Sequence, residues 1–181
     1  VKTSYRNALL TGVCVVIVVG GASGCASPAQ SASMTVNNAQ IQKRHPHSVR
    51  ITVEGGKTSD PVGFSAVSND AVGEAVTNSI VKSKLFSEVK KGEGGDYLLN
   101  IYLFSIEQQP IGFNMTSRME VGWTLVDAAT GRQVMRKTIK TAYTASVGEA
   151  FAAVTRIRIA TEGAARENIK QGIEEISKLD L

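Results

Sequence analysis

The sequence predicts an α+β fold: a two-layer sandwich in which two helices pack on an antiparallel (mixed) sheet of about four to five strands. Three observations predict it. Hydrophobic spacing switches from a period of two at 48–54 to a helical period at 68–84, back to two from 97 to 143, and finally to a helical stripe. Glycine- and proline-rich stretches punctuate each change. Helices that frame a run of hairpin-linked strands must bury their apolar stripes on the sheet, which gives two layers.

Each element follows in order. In "SVRITVE", Val49, Ile51 and Val53 alternate with Ser48, Arg50 and Thr52, which predicts a strand opening the domain near Ser48. "GGKTSDPVG" ends it. Val72, Val76, Ile80 and Ser83, with Ala75 and Ser79, form one helical stripe starting at Ser68. Asp70 in its first turn and Lys82 and Lys84 in its last complement the helix dipole. A short strand and a glycine turn follow Leu85-Phe86. "DYLLNIYLFSIEQQ" is the strongest strand. Tyr97, Leu99, Ile101 and Leu103 share one face, and Leu98, Asn100, Tyr102, Phe104 and Ile106 share the other, so both faces are expected to be covered. "QPIGFN" turns the chain into "MTSRMEVGWTLVD", whose alternation places Trp123 among core residues. "DAATGRQ" predicts a hairpin turn with Gly131 at positive φ. "VMRKTIKTAYT" forms the last strand. From about Gly148 to Lys178, Val154, Ile157, Thr161, Ala164, Ala165, Ile169, Ile173 and Ile176 trace a continuous helical stripe. Opposite it, Arg158, Glu162 and Arg166 are spaced for a surface ion-pair ladder, and small residues at 163–165 would let the helix lie close to the sheet.

Residues 1–24 read as a cleaved signal peptide. Lys2 and Arg6 form a basic start, and Ala8 to Val19 form an apolar run too short to span about 30 Å of hydrocarbon, which takes about 20 residues. Val1 fits a non-standard start codon translated literally. Ala22-Ser23-Gly24-Cys25 resembles the bacterial lipobox, in which small residues admit a peptidase and a thiolate accepts a diacylglyceryl group. Ala22 stands where that pattern usually has Leu. The resemblance implies lipid attachment at Cys25, which becomes the first mature residue, and anchoring to a membrane through several acyl chains. Ala26 and Ser27, with no Asp, imply the inner leaflet of the outer membrane, facing the periplasm. Residues 25–47 are expected to be the lipidated cysteine and a flexible tether, because 26–40 is rich in Ser, Ala, Gln and Asn. Residues 48–181 then form the sandwich domain. Cys14 and Cys25 are the two cysteines, so the mature domain would hold no disulfide.

Composition excludes several function classes. The chain carries 20 basic and 16 acidic residues, and Lys2 and Arg6 leave with the signal. The only dense basic run, Lys43-Arg44-His45-Pro46-His47, has no interleaved aromatics, so no nucleic acid is expected. His45 and His47 have no third ligand nearby, so no metal and no cofactor are expected. Gly92-Glu93-Gly94-Gly95 lacks the Gly-Lys-Ser/Thr ending and precedes a strand, which makes it a turn rather than a phosphate cradle. Glu174-Glu175 lies among lysines as a solvated face. With no catalytic constellation, the chain is not expected to be an enzyme.

Two stretches carry a further resemblance. "AVTNSIVKSKLFSEVKKGEGGDYLLNIYL" (75–103) and "WTLVDAATGRQVMRKTI" (123–139) are similar to segments of bacterial envelope lipoproteins. These are the lipopolysaccharide-assembly outer-membrane lipoprotein, auxiliary lipoproteins of lipid transporters, and lipoprotein activators of cell-wall synthases. The resemblance implies a non-catalytic docking or assembly module for an envelope complex of lipid or lipopolysaccharide transport or the cell-wall machinery, with an envelope protein as partner. It also offers Arg132, Arg136 and Lys140 as contacts to an anionic lipid headgroup, although the same residues would keep an edge strand soluble. The alternative function is a periplasmic lipid or small-molecule carrier with a cavity between helices and sheet. Five Phe, four Tyr and one Trp are few for such a lining.

Overall fold

A computed structural model describes residues 27–57, 64–111 and 113–181. The signal peptide, the lipobox and Cys25 lie outside the described residues. The chain folds as α1 (Ser31–Met34), β1 (His45–Glu54), α2 (Asn69–Ser83), β2 (Phe86–Lys90), β3 (Tyr97–Ile111), β4 (Asn114–Asp127), β5 (Gln133–Ala145) and α3 (Ala153–Ile176). The sheet is mixed and five-stranded, in the order β2-β1-β3-β4-β5, with α2 and α3 packed against it, which is the predicted α+β sandwich.

Only the β3–β4 and β4–β5 pairs are antiparallel; β1 is parallel to both β2 and β3. The parallel pairs follow from connection length: a helix joins β1 to β2, and only a long crossover can bring a strand back parallel. β2 pairs with residues 45–50 of β1 and β3 with residues 49–54. The glycine turn therefore carries the chain across β1. Gly95, at φ +102, lies so close that a Cβ there would come within 3.1 Å of the Arg50 backbone nitrogen. Ser48 closes this crossing by donating from its N–H and its hydroxyl to the Asp96 carboxylate at 2.7 and 2.8 Å. Those bonds hold Asp96 below the usual carboxylate pKa.

The core lies between sheet and helices. Val49, Leu99, Ile101, Leu103, Val121, Trp123 and Leu125 of the sheet meet Val76, Ile80, Ala164, Ile169 and Ile173 of the helices. α2 is capped by the Ser68 hydroxyl, which accepts from the Ala71 N–H at 3.2 Å, and it ends on Lys84 in the left-handed conformation. Glycines set the approach of α3. A Cβ on Gly172 would sit 2.5 Å from the Trp123 ring, and one on Gly163 would enter the Tyr143 ring. Trp123, buried as a core anchor, donates its indole N–H to Asn168 Oδ1 at 2.9 Å, and Asn168 donates to the Ile139 carbonyl at 2.9 Å. Gly131 takes φ +70 in the β4–β5 turn, as predicted.

Three expectations are corrected. Residues 27–44 are not a free tether. Met34 is fully buried, and Ala29 and Val36 join the core. The segment is a strap along the seam between the helices. Its Val36 N–H donates to Ser79 Oγ on α2 at 2.9 Å, its Gln30 N–H donates to Glu162 on α3 at 3.0 Å, and its Ser33 carbonyl accepts from Arg166 at 2.8 Å. The predicted solvated ladder Arg158-Glu162-Arg166 is thus partly spent on holding the strap, with Glu162 buried. Glu174, read as solvated, likewise accepts the Gln40 N–H at 2.9 Å. β1 accordingly starts at His45 rather than near Ser48.

The second correction is the start of the last helix, at Ala153 rather than Gly148. Glu149 folds 146–152 into a loop by accepting from the Ser146 N–H at 2.8 Å and the Tyr143 hydroxyl at 2.9 Å. The third concerns Ile106. A bulge between Leu103 and Ser105 makes Phe104 an extra residue, so Ile106 opposes buried Met119 on the helical side instead of sharing a face with Tyr102.

Candidate docking face

One face of the sheet carries both helices and the other carries no element among the described residues. The sequence expectation that both faces of β3 are covered is not met among the described residues. Two cross-strand rows define the open face. Thr52, Asn100, Thr124 and Arg136 lie in register across β1, β3, β4 and β5, and Glu54, Tyr102, Gly122 and Thr138 form the next row. Most of this surface is polar, with the Thr52 hydroxyl bonded to the Asn100 amide. Its centre is not. Tyr102 and Phe104 are 47 % and 54 % exposed, with ring centroids 5.1 Å apart. The bulge and a glycine create this pair. Phe104, displaced by the bulge, lies over Gly122, where a Cβ would come within 2.8 Å of its ring. The two rings border a shallow depression of about 540 Å³, with Arg136 and Thr138 on its far side.

The edges of the sheet are poor docking templates. β2 has only five residues, and β5 presents Arg136, Lys137 and Lys140 along its length. Lys137 points to the helical side and pairs with Glu175, whose carboxyl it and Lys178 hold below the usual glutamate range. Lys140 pairs with Glu120 across the strand at 3.1 Å. Of the three expected headgroup residues, Arg136 and Lys140 stand on the open face, while Arg132 lies in the β4–β5 turn at the end of the sheet. They form no single cluster.

The histidines serve packing. His45 is buried, packs its ring at a tilt against Phe86 with centroids 5.3 Å apart and places Nε2 3.1 Å from the Ile176 carbonyl; burial lowers its pKa from 6.5. His47 meets the Tyr97 ring edge-on at 5.4 Å. Among the described residues, no group of three or more His, Cys, Asp or Glu is placed to hold a metal ion.

The fold is shared by solved bacterial proteins, a lipoprotein among them. Three solved structures illustrate this. A Xanthomonas campestris protein of the DUF330 family is 15 % identical, with a TM-score of 0.60 over 83 % of this chain and 93 % of its own. The PelC L103M dodecamer of Paraburkholderia phytofirmans is 10 % identical, with a TM-score of 0.52 over 77 % and 92 %. Uncharacterised lipoprotein B of Nitrosomonas europaea is 13 % identical, with a TM-score of 0.50 over 77 % and 88 %. At these identities the likeness is one of fold. No protein-family profile and no curated protein matches the sequence.

The sequence did not single out the open-face pair as a site. Tyr102 and Phe104 were visible as an apolar second face of β3, but the bulge that seats Phe104 over Gly122 is a cross-strand register event with no local signature.

Proposed function

We propose that this protein is a non-catalytic lipoprotein, anchored by acylated Cys25 in the inner leaflet of the outer membrane, whose open sheet face docks an envelope protein. The observation that carries the reading is the exposed Tyr102–Phe104 pair beside Arg136 on a sheet face that no element among the described residues covers. Aromatic and arginine side chains around a shallow apolar centre match the composition of protein interfaces. Arg136 and Lys140 belong to this face as partner contacts, and the reading does not use Arg132. The carrier alternative is disfavoured by the interlayer. Its glycines let α3 lie directly on Trp123 and Tyr143, and the space between helices and sheet is filled by side chains.

The test is site-specific photocrosslinking in intact cells from position 102, with position 167 on the exposed side of α3 as reference. A discrete protein adduct from 102 and none from 167 is expected. Equal adducts from both positions, or none from 102, contradict the docking face.

A further inference from the structure

Among the described residues, the large exposed apolar side chains other than Val81 form two clusters, and only the first is the open face. The second lies at one end. Phe64, Ile111, Phe113, Val147 and Phe151 are all exposed, with Phe113 at 81 % and Phe151 at 93 %. Three loops contribute them, and pairing brings the loops together. Ile111 opposes Asn114 at the tip of the β3–β4 hairpin, and the next pair across, Met115 with Ala145, places the loop after β5 beside that tip. The loop after β1 joins through Ser65, which donates its N–H to Gln108 Oε1 at 2.9 Å and accepts from Gln108 Nε2 at 2.8 Å. Neighbouring strands are about 4.8 Å apart, so the loops share one small end of the sandwich.

The loop after β5 holds Phe151 outward by construction. Arg156, itself buried, donates to the carbonyls of Ala150 and Phe151, and Glu149 ties the loop to Ser146 and Tyr143. In sequence, Phe64 and Phe113 each close the same tetrad, Pro-Val-Gly-Phe at 61–64 and Pro-Ile-Gly-Phe at 110–113.

The same end receives the start of the strap. The Ser27 carbonyl accepts from Ser65 Oγ at 3.0 Å, and the Ala29 N–H donates to the Ala66 carbonyl at 2.9 Å. Cys25 is two residues before Ser27, so its Cα lies within about 7.6 Å of the Ser27 Cα whatever its conformation. An acylated Cys25 would therefore pull this end, and no other, onto the lipid surface. Arg132, beyond the far end of β5, is about 40 Å away at the rise of a strand.

We infer that this end of the sandwich seats directly in a phospholipid bilayer, with Phe113 and Phe151 inserted at the level of the headgroups. The inference rests on the Cys25 anchor reading for its location and on the loops for its chemistry. Phe supplies the apolar contact of segments that lie at the headgroup–acyl boundary, and the loop tied by Arg156 and Glu149 inserts Phe151 without a further ordering cost. The strands then stand away from the membrane, and the open face looks sideways into the periplasm.

The test uses the full-length chain, processed in cells, purified and reconstituted in phosphatidylethanolamine–phosphatidylglycerol vesicles with brominated acyl chains. Trp123, the one tryptophan, is buried and out of reach of the bromines. Phe113→Trp and Phe151→Trp add reporters at the proposed contact, and Phe104→Trp adds one on the open face. Loss of the added emission at 113 and 151 but not at 104 is expected. Equal emission at all three positions overturns the inference, as does a blue shift at 113 or 151 that follows protein concentration without vesicles, which would give this end to a second copy. The mass of the mature chain reports acylation separately. Without acyl mass the anchor reading fails, and quenching of the unacylated protein on added vesicles still decides the seating.

Discussion

Gly172 shows how one absent side chain sets the spacing of the two layers. Its Cα faces the Trp123 ring so closely that a methyl group would sit at 2.5 Å, against a ring whose N–H is already fixed on Asn168. Neither the ring nor the amide can retreat, so overpacking applies in full. Gly172→Ala is expected to destabilise by about 1–3 kcal/mol despite its better helix propensity, measured by urea denaturation. A gain in stability would mean that α3 floats on the sheet. His45 offers a test in pH. Burial lowers its pKa in the fold, opposed by the Ile176 carbonyl, with His47, Lys43 and Asp180 as the nearby charges. As pH falls below 6.5 the unfolded chain takes up the proton first, so stability is complete above that value and declines as pH drops towards the folded pKa. The melting temperature should fall as pH drops below 6.5, and His45→Gln should flatten that stretch of the profile. An unchanged slope would place the titration elsewhere.

At the scale of elements, the strap is where sequence and structure part. The strands and both long helices were legible because each carries a period: Val49-Ile51-Val53 for β1, Val72-Val76-Ile80 for α2, Ile169-Ile173-Ile176 for α3. Residues 27–44 carry none. Their apolar contribution is five scattered side chains, buried Ala29, Met34 and Val36 and partly buried Ala39 and Ile41, in a polar background, and most of their bonding uses backbone groups, which composition does not report. The side chains that receive them, Glu162, Arg166 and Glu174, look from sequence like an ordinary charged helix surface. Met34 sits fully buried at the seam, so Met34→Ala is expected to cost about 2–5 kcal/mol and to lower the melting temperature by several degrees. Deletion of 27–40 should cost more. An unchanged melting temperature for both variants would restore the tether.

For the whole molecule, the strap joins two properties that are separate in the sequence: it closes the helical layer, and it fixes which end lies beside Cys25. That end carries Phe64, Phe113 and Phe151, and the remaining exposed aromatics, Tyr102 and Phe104, stand on the open sheet face. The site was only half legible. β3 announced a second apolar face, but what it becomes depends on the Leu103–Ser105 bulge, on Gly122 across the strand and on the absence of a covering element among the described residues, all of them long-range. On the proposed reading the domain is held upright by its anchor with a docking face turned to the periplasm, and both sheet edges are guarded. The most direct test of that claim is co-purification from detergent-solubilised membranes, comparing the native protein with the Tyr102→Ser, Phe104→Ser double variant. The account predicts a stoichiometric envelope protein with the native chain and its loss from the variant, at equal acylation. The same partner retained at full stoichiometry by the variant, or no partner with either, would contradict it.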